Sequence, residues 1–135
     1  MPIQKSLLII LLWVIGAPAS QAQDTDSLPA KKKFYYGTAS YYADKFEGRK
    51  TASGEIFSQK KMTAACNVLP LGTWIKVTNL RNGKSVIVKT NDRLHPRMTR
   101  IVDLSRAAAQ QLGYIRSGLT RVKVEVYGKK KPKNT

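Results

Sequence analysis

Hydrophobic and polar residues alternate along two stretches of the chain, and this alternation predicts β-strands. Valines 122, 124 and 126 alternate with charged residues in the segment 120–127, and Ile75 and Val77 alternate with polar residues in 73–79. Successive side chains of a strand point to opposite faces, so a period of two is typical of a half-buried strand. The apolar run Val86-Ile87-Val88 predicts a buried strand, and the aromatic segment 34–42 predicts the first strand.

The connections between these strands carry their own signals. Asn82-Gly83 lies between two predicted strands and indicates a hairpin turn. Leu104, Ala108 and Leu112 recur at the spacing of one helix face, with Ser105 or Asp103 as the N-cap and Gly113 at the C-terminal stop. Residues 43–59 lack apolar periodicity and are predicted to form a long loop. One short helix and five or six short strands in this order favour a small closed barrel.

The first 22 residues have the pattern of a signal peptide. Lys5 precedes an unbroken apolar run at residues 7–15, and Ser20-Gln21-Ala22 is a small-x-small cleavage site. The run is too short to span a bilayer as a helix, which needs about 20 residues. We therefore expect export with cleavage after Ala22, and a periplasmic or extracellular, soluble protein. Because no Cys follows that site, we expect no lipid anchor.

The charge balance narrows the class of partner. The chain has 24 Lys and Arg against 8 Asp and Glu, a net charge of +16. Residues 23–33 are predicted to be a basic flexible leader, 34–127 the folded domain and 128–135 a basic tail. Such charge indicates a polyanionic partner. Export argues against nucleic acid, which leaves wall polymers and anionic lipid head groups.

Cysteine and histidine are too few for several kinds of site. The single Cys excludes an intramolecular disulfide, and one His with one Cys does not make a zinc site. We therefore predict no metal and no other cofactor, and we expect a monomer.

Two acidic residues occur in turn contexts of this basic chain. Glu55 follows Gly54, and Asp92 follows Asn91 at the end of an apolar run. Two carboxylates facing one groove are the minimum for acid-assisted cleavage of a glycosidic bond, one of them donating a proton to the leaving oxygen. The alternative is that both are solvated loop carboxylates, and their spacing alone does not decide between the two.

Longer motifs carry a resemblance to a known family. The segments Gly37-Thr38-Ala39-Ser40-Tyr41-Tyr42, Ser53-Gly54-Glu55-Ile56-Phe57, Leu69-Pro70-Leu71-Gly72-Thr73, Asn91-Asp92-Arg93 and Val102-Asp103-Leu104-Ser105 follow one another in unbroken order. They resemble the rare lipoprotein A (RlpA-like) family of double-psi β-barrels. The resemblance implies a mostly β fold, a small six-stranded double-psi β-barrel with one or two short helices. It also implies a lytic transglycosylase that cleaves peptidoglycan glycan strands between N-acetylmuramic acid and N-acetylglucosamine and leaves a 1,6-anhydromuramyl product.

The resemblance also implies the site residues. It gives Glu55 and Asp92 catalytic roles, and we favour Asp92 as the acid; the family's third position, a His, is Cys66 here. We expect Cys66 in the groove, within reach of Asp92 or Glu55, although it could instead pack beneath its loop. His95 is a candidate substitute for the missing His, or a surface residue without a role. The predicted site neighbours are Cys66, Asn91 and Arg93, and the predicted substrate-binding residues are Tyr41, Tyr42, Ser53 and Arg93.

Two other classes of function use the same fold. A non-catalytic, expansin-like peptidoglycan-binding or wall-loosening module would use the groove, its aromatic residues and its basic rim without breaking a bond. An exported inhibitor or interaction protein would use the barrel only as a scaffold. The replacement of the family His by Cys66 is the feature that favours the first of these alternatives over the enzyme.

Overall fold

The computed structural model describes residues 33–133. The predicted signal peptide, nearly all of the predicted leader and the last two residues of the predicted tail lie outside the described residues. Lys32–Thr135 is a compact unit in its own right. Within the described part of the chain, no helix is both long and apolar enough to cross a membrane.

The described residues form a mostly β structure with a single α-helix and a short 3-10 turn at Asp44–Phe46. The strands and the helix are β1 (Phe34–Tyr41), β2 (Thr63–Cys66), β3 (Trp74–Asn79), β4 (Ser85–Asp92), β5 (Val102–Leu104), α1 (Arg106–Leu112) and β6 (Thr120–Gly128).

The six strands close into a barrel in the order β1-β5-β2-β4-β3-β6. The pairs β1–β5 and β2–β4 are parallel, and the other four pairs are antiparallel. Closure removes every exposed strand edge, which is how a small β domain avoids edge-to-edge association. The prediction of a six-stranded, mostly β barrel is confirmed.

The barrel core comes from the inward half of the alternating strands. Ile75, Val77, Val122 and Val124 are fully buried, as the period of two predicted. The helix α1 packs its buried residues Ala108, Ala109 and Leu112 against the same core. The burial of these side chains is the main force that holds the sheet closed.

The predicted turns and caps form with the expected residues. The Ser105 hydroxyl accepts from the Ala108 N–H, so Ser105 and not Asp103 is the N-cap of α1, and Gly113 ends the helix in the left-handed conformation at φ 76°. The hairpin between β3 and β4 turns at Gly83, whose φ is 78° and whose N–H donates to the Asn79 carbonyl at 2.8 Å.

A β-bulge interrupts β4 just before its end. Ala64 of β2 pairs with Thr90, but Ala65 pairs with Asp92, so Asn91 is one residue too many for the ladder. Val88 and Thr90 point into the barrel, and simple alternation would send Asp92 inward as well. The extra residue reverses the alternation, so that Asp92 faces outward.

Candidate active site

A cleft of about 410 Å³ opens at the barrel end where β4 finishes. Its floor is a small apolar cluster, distinct from the barrel core, that contains Tyr42, Phe57, Ala65 and Leu94. The residues that line the cleft are Tyr41, Tyr42, Ala43, Phe46, Ala65, Asp92, Arg93, Leu94, His95, Met98, Arg100 and Asp103.

Asp92 is a tightly held carboxylate in this cleft. Its Oδ1 accepts the backbone N–H groups of Ala52 at 2.8 Å and of Arg93 at 2.9 Å. Its Oδ2 accepts the Tyr42 hydroxyl at 2.6 Å. These three hydrogen bonds come from three separate segments of the chain, so they hold the side chain in one orientation.

Tyr42 supports Asp92 from below. Its ring stacks on Phe57 with centroids 4.0 Å apart and meets the Phe46 ring edge-on at 5.8 Å. Burial, with the neighbouring Asp92 carboxylate, raises the pKa of Tyr42 well above its ordinary value. The hydroxyl therefore keeps its proton and remains a donor to Asp92. Because Phe57 covers one ring face and Tyr42 is 8% exposed, its position does not suit face-on stacking against a sugar.

Tyr41 is the more accessible of the two tyrosines, and it also lines the cleft. Its hydroxyl donates to the Ile115 carbonyl at 2.9 Å, and the Arg106 guanidinium lies 5.3 Å from its ring centroid. The ring is therefore fixed in place while part of it faces the cleft.

Glu55 lies in a loop that docks against Asp92. The loop turns at Gly54, whose φ is 92°, and Ser53 donates its N–H to the Asn91 carbonyl at 3.1 Å. The Ser53 hydroxyl donates to Glu55 Oε1 at 3.1 Å. Glu55 is exposed and lines a shallower depression of about 300 Å³ together with Ser53, Leu71 and Lys89. The loop thus brings Glu55 close to Asp92 in the fold, but Glu55 does not line the cleft that holds Asp92.

Arg93 has a structural partner in the next loop. Its Nη1 donates to the backbone carbonyls of Cys66 at 2.8 Å and of Leu69 at 2.6 Å. The guanidinium therefore ties the end of β2 and the loop that follows it to the cleft, and Arg93 also lines that cleft. Arg93, a predicted site neighbour, contacts Asp92 through its backbone N–H and not through its guanidinium.

The structure corrects our expectation for Cys66. We expected its thiol in the groove, but the side chain is fully buried in the barrel core with Val88 and Val102. The cleft-facing residue of this strand is the preceding one, Ala65, because neighbouring residues of β2 point to opposite sides. Burial raises the pKa of the Cys66 thiol, so it remains neutral.

Asn91 is buried at the bulge, and its Oδ1 has no hydrogen-bond partner among the described residues. Its backbone carbonyl accepts the Ser53 N–H. Asn91 therefore contributes to the site mainly through its backbone, as the extra residue of the bulge and as the anchor of the Glu55 loop.

A second carboxylate in the cleft was not among the predicted site residues. Asp103 of β5 pairs with Ala65 of β2, which in turn pairs with Asp92 of β4, so the two aspartates flank Ala65 in one cross-strand row. With strands about 4.8 Å apart, their Cα atoms are separated by about 10 Å. Arg100 Nε and Nη2 bind the Asp103 carboxylate at 2.8 and 3.0 Å, and this pairing raises the pKa of Arg100. The separation of Arg100 and Asp103 by three residues can be read from the sequence. The pairing of β5 with β2, which brings Asp103 into the cleft, cannot.

The segment 93–100 contributes five residues to the lining of the cleft. His95 and Met98 line it, and His95 Nδ1 accepts the Arg97 N–H at 3.1 Å. His95 therefore lies at the cleft. The sequence alone did not decide between a position at the site and a surface position without a role. Within residues 33–133, no group of three or more His, Cys, Asp or Glu side chains is placed to hold a metal ion.

A closed barrel of mixed parallel and antiparallel strands, with a carboxylate cleft at one end, places the protein among the double-psi β-barrel domains. The family model described as lytic transglycolase matches residues 35–124. The chain belongs to this family.

The chain is similar to curated members of the family. It is 55% identical over 89 residues to the endolytic peptidoglycan transglycosylase RlpA of Pseudomonas aeruginosa, a match that covers 66% of this chain and 26% of the relative. It is 46% identical over 117 residues to the probable endolytic peptidoglycan transglycosylase RlpA of Synechocystis sp., covering 84% of this chain and 36% of the relative. The chain thus spans about a quarter to a third of these relatives.

The fold also resembles that of a solved expansin. The apo structure of the Clavibacter michiganensis expansin superposes with a TM-score of 0.60 at 19% identity, covering 74% of this chain and 53% of that one. At this identity the likeness concerns the fold alone.

Proposed function

We propose that the protein is a lytic transglycosylase that cleaves peptidoglycan glycan strands between N-acetylmuramic acid and N-acetylglucosamine and forms a 1,6-anhydromuramyl end. The observation that carries the proposal is Asp92, turned outward by the bulge and held in the cleft by three hydrogen bonds. Family membership and the names of the relatives support the substrate class.

The hydrogen bonds of Asp92 select the oxygen that carries the proton. Each carboxyl oxygen offers about two acceptor positions. Both positions on Oδ1 are taken by backbone N–H groups, whereas Oδ2 accepts only the Tyr42 hydroxyl. In the proposed mechanism the proton that Asp92 must take up to act as the acid is therefore carried on Oδ2.

Proton transfer from Oδ2 to the glycosidic oxygen releases the N-acetylglucosamine end of the strand. The muramoyl C6 hydroxyl then attacks its own anomeric carbon, and its proton returns to Asp92. Water is not consumed, so one well-held carboxyl is sufficient for both transfers.

The other predicted residues act on the strand around the scissile bond. Arg93 lines the cleft and uses Nη1 for its two backbone contacts, so Nε and Nη2 are assigned to a substrate anion such as the lactyl group. Glu55 and Ser53 line the neighbouring depression, where they bind sugars farther along the strand. Tyr41 packs against a sugar at the other side of the cleft.

The alternative function is a non-catalytic peptidoglycan-binding or wall-loosening module. The specific observation in its favour is Cys66, which occupies the family's His position with a neutral thiol buried in the barrel core. Such a thiol cannot supply the charge or the hydrogen bonds of an imidazole in the cleft. The two functions differ in whether a glycosidic bond is broken.

Digestion of peptide-stripped peptidoglycan, followed by mass spectrometry for anhydromuramyl ends, tests the proposal. We expect products from the wild type and a loss of at least about 100-fold for Asp92→Asn, since general acid catalysis contributes about 100- to 10,000-fold. Glu55→Gln should lower cleavage less than Asp92→Asn, because Glu55 lies outside the cleft. Glu125→Gln, on β6 away from the cleft, is the matched control and should retain activity.

Thermal unfolding of each variant separates lost chemistry from lost fold. If folded wild type binds peptidoglycan and releases no anhydro product, the binding-module function replaces the enzymatic one. If Asp92→Asn cleaves at the wild-type rate, Asp92 is not the acid.

The proposed place of action follows from the N-terminal signal. A protein exported through residues 1–22 and starting at Gln23 would meet peptidoglycan in the periplasm or outside the cell. Intact-mass measurement on protein from the native host tests this, and a mass that includes residues 1–22 or a lipid adduct would contradict it.

A further inference from the structure

The outer face of the sheet β1-β6-β3 lies away from the cleft. Three cross-strand rows cross this face: Phe34, Glu125 and Lys76; Tyr36, Lys123 and Thr78; and Thr38 beside Arg121. The Leu80 N–H donates to the Arg121 carbonyl at 2.9 Å, which places Leu80 next to the third row. We call the surface formed by these rows, with Arg81 and Leu119, the β6 face.

Large apolar side chains are exposed on the β6 face. Phe34 is 44% exposed, Tyr36 60%, Leu80 48% and Leu119 51%. Thr120 and Val122 are buried and point into the barrel. Because successive side chains of a strand alternate, Leu119 and Arg121 both point to the outer face. Two leucines, two aromatic rings and several bases thus share one surface, and a grouped apolar patch on a protein surface indicates a binding partner.

The charges of the β6 face are mostly of one sign. Lys76, Arg81, Arg121 and Lys123 lie on it together with the carboxylate Glu125. The other described carboxylates belong to the cleft or to the loops beside it, namely Asp44, Glu47, Glu55, Asp92 and Asp103. The β6 face therefore fits an anionic partner.

The end of the face that carries the leucines is remote from the cleft. Leu80 and Arg81 lie in the hairpin before β4, and Asp92 is the last residue of that eight-residue strand. At about 3.3 Å per residue, the strand separates them by about 25 Å. A partner can therefore occupy this end while the cleft remains open.

We propose that the β6 face binds the surface of an anionic lipid bilayer. The bases contact lipid phosphates, and Leu80, Leu119 and the aromatic rings enter the region between head groups and acyl chains. A soluble polyanion would satisfy the bases but leave the leucines in water. A second copy of the chain would place like charges against each other.

Vesicle co-sedimentation tests this proposal. The probe is a vesicle of phosphatidylglycerol and phosphatidylcholine, compared with pure phosphatidylcholine and with soluble polyphosphate as a competitor. The chain should begin at Gln23, because the apolar run at residues 7–15 would itself insert into lipid; Lys32–Thr135 is a compact unit, so the barrel is kept.

Two double variants distinguish the contribution of charge to vesicle binding from the contribution of apolar contact. Arg81→Gln with Arg121→Gln should weaken binding to anionic vesicles about 25-fold, at about fivefold for each base. Leu80→Ser with Leu119→Ser should weaken it about tenfold, because two half-exposed leucines lose their burial in lipid. Lys60→Gln with Lys61→Gln, exposed bases outside this face, is the charge-matched control, and Val68→Ser is the apolar control. Both controls should stay within about twofold of the wild type, since charges outside the contact are screened.

The expected pattern supports the proposal, and four outcomes overturn it. The first is that the wild type shows no preference for anionic vesicles, and the second is that a control pair weakens binding as much as the arginine pair does. The third is that the leucine pair binds like the wild type. The fourth is that competition by polyphosphate depends on the leucines as much as vesicle binding does. Circular dichroism checks the fold of each variant. If the leucine pair fails to fold, the single variants Leu80→Ser and Leu119→Ser carry the test.

Discussion

Replacing Tyr42 by phenylalanine removes a single hydroxyl group from the floor of the cleft and leaves the packed ring in place. The hydroxyl donates to Asp92 Oδ2 at 2.6 Å, and the ring is held between Phe57 and Phe46. The substitution therefore tests one hydrogen bond to a carboxylate with little change in packing.

The expected cost follows from that bond. A hydrogen bond to a charged group contributes about 1.5–3 kcal/mol. Asp92 is only half-buried and keeps its two backbone donors, so water can replace part of the lost contact. We therefore expect the free energy of unfolding to fall by about 1.5 kcal/mol at pH 7, which corresponds to about 6–10 °C in Tm for a domain of this size.

The cost should disappear at alkaline pH. The pKa of Tyr42 is raised in the folded state, so the folded protein keeps a proton that the unfolded chain releases above about pH 10. Stability of the wild type therefore falls as the pH rises above 10, by about 1.4 kcal/mol per pH unit from this residue. Tyr42→Phe has no ionisable hydroxyl at this position, so its stability does not fall above pH 10 for this reason. The buried Tyr114, whose pKa is also raised, contributes equally to both proteins and cancels in the comparison.

Urea denaturation of both proteins between pH 7 and pH 11 measures the effect. We expect a gap of about 1.5 kcal/mol at pH 7 that closes to near zero at pH 11. Tyr36→Phe is the matched control, since Tyr36 is 60% exposed and should leave stability unchanged at both values of pH. A gap that stays constant with pH, or no gap at pH 7, would refute the assignment of the Tyr42–Asp92 bond.

Three further outcomes are expected. Asn79→Ala should lower the free energy of unfolding by about 3 kcal/mol, because the buried Asn79 amide bonds the Leu112 carbonyl, the Thr120 hydroxyl and the Arg81 N–H. Asn82→Ala, an exposed neighbour with a bond to the same Leu112 carbonyl, should cost less, and equal losses in urea denaturation would contradict this. The Cys66 thiol should react with a thiol reagent far more slowly in the native than in the denatured protein, because it is fully buried, and equal rates would place it in the cleft after all. Sedimentation with insoluble peptidoglycan should decrease as salt is raised, since the chain carries a net charge of +16; retention that does not change with salt would point to ring stacking by Tyr41.

Local patterns in the sequence were sufficient for most of the secondary structure. The alternation around Val122 and Val124 predicted β6, and the apolar spacing before Gly113 predicted α1. These signals are local, because the period of side chains along a strand or helix follows from backbone geometry alone. The order of these elements favoured a small closed barrel, and the resemblance to a family supplied what periodicity could not, the double-psi topology.

Whether the side chain of a site residue points into the core or into the cleft depended on which strands pair and in what register. Alternation from Val88 and Thr90 would bury Asp92, and only the pairing of Ala65 with Asp92 across the Asn91 bulge turns the carboxylate into the cleft. The same strand β2 sends Cys66 into the core.

The second carboxylate of the cleft depended on pairing in the same way. The ladder between β2 and β5 brings Asp103 beside Ala65, and the sequence shows Asp103 only as a candidate cap. A bulge or a strand partner is chosen by the energy of the whole barrel, through contacts between residues far apart in the chain. The sequence by itself therefore determined four of the six strands and the helix, and together with the family resemblance it indicated the candidate acid. The tertiary structure decided which side chains share the cleft with that residue.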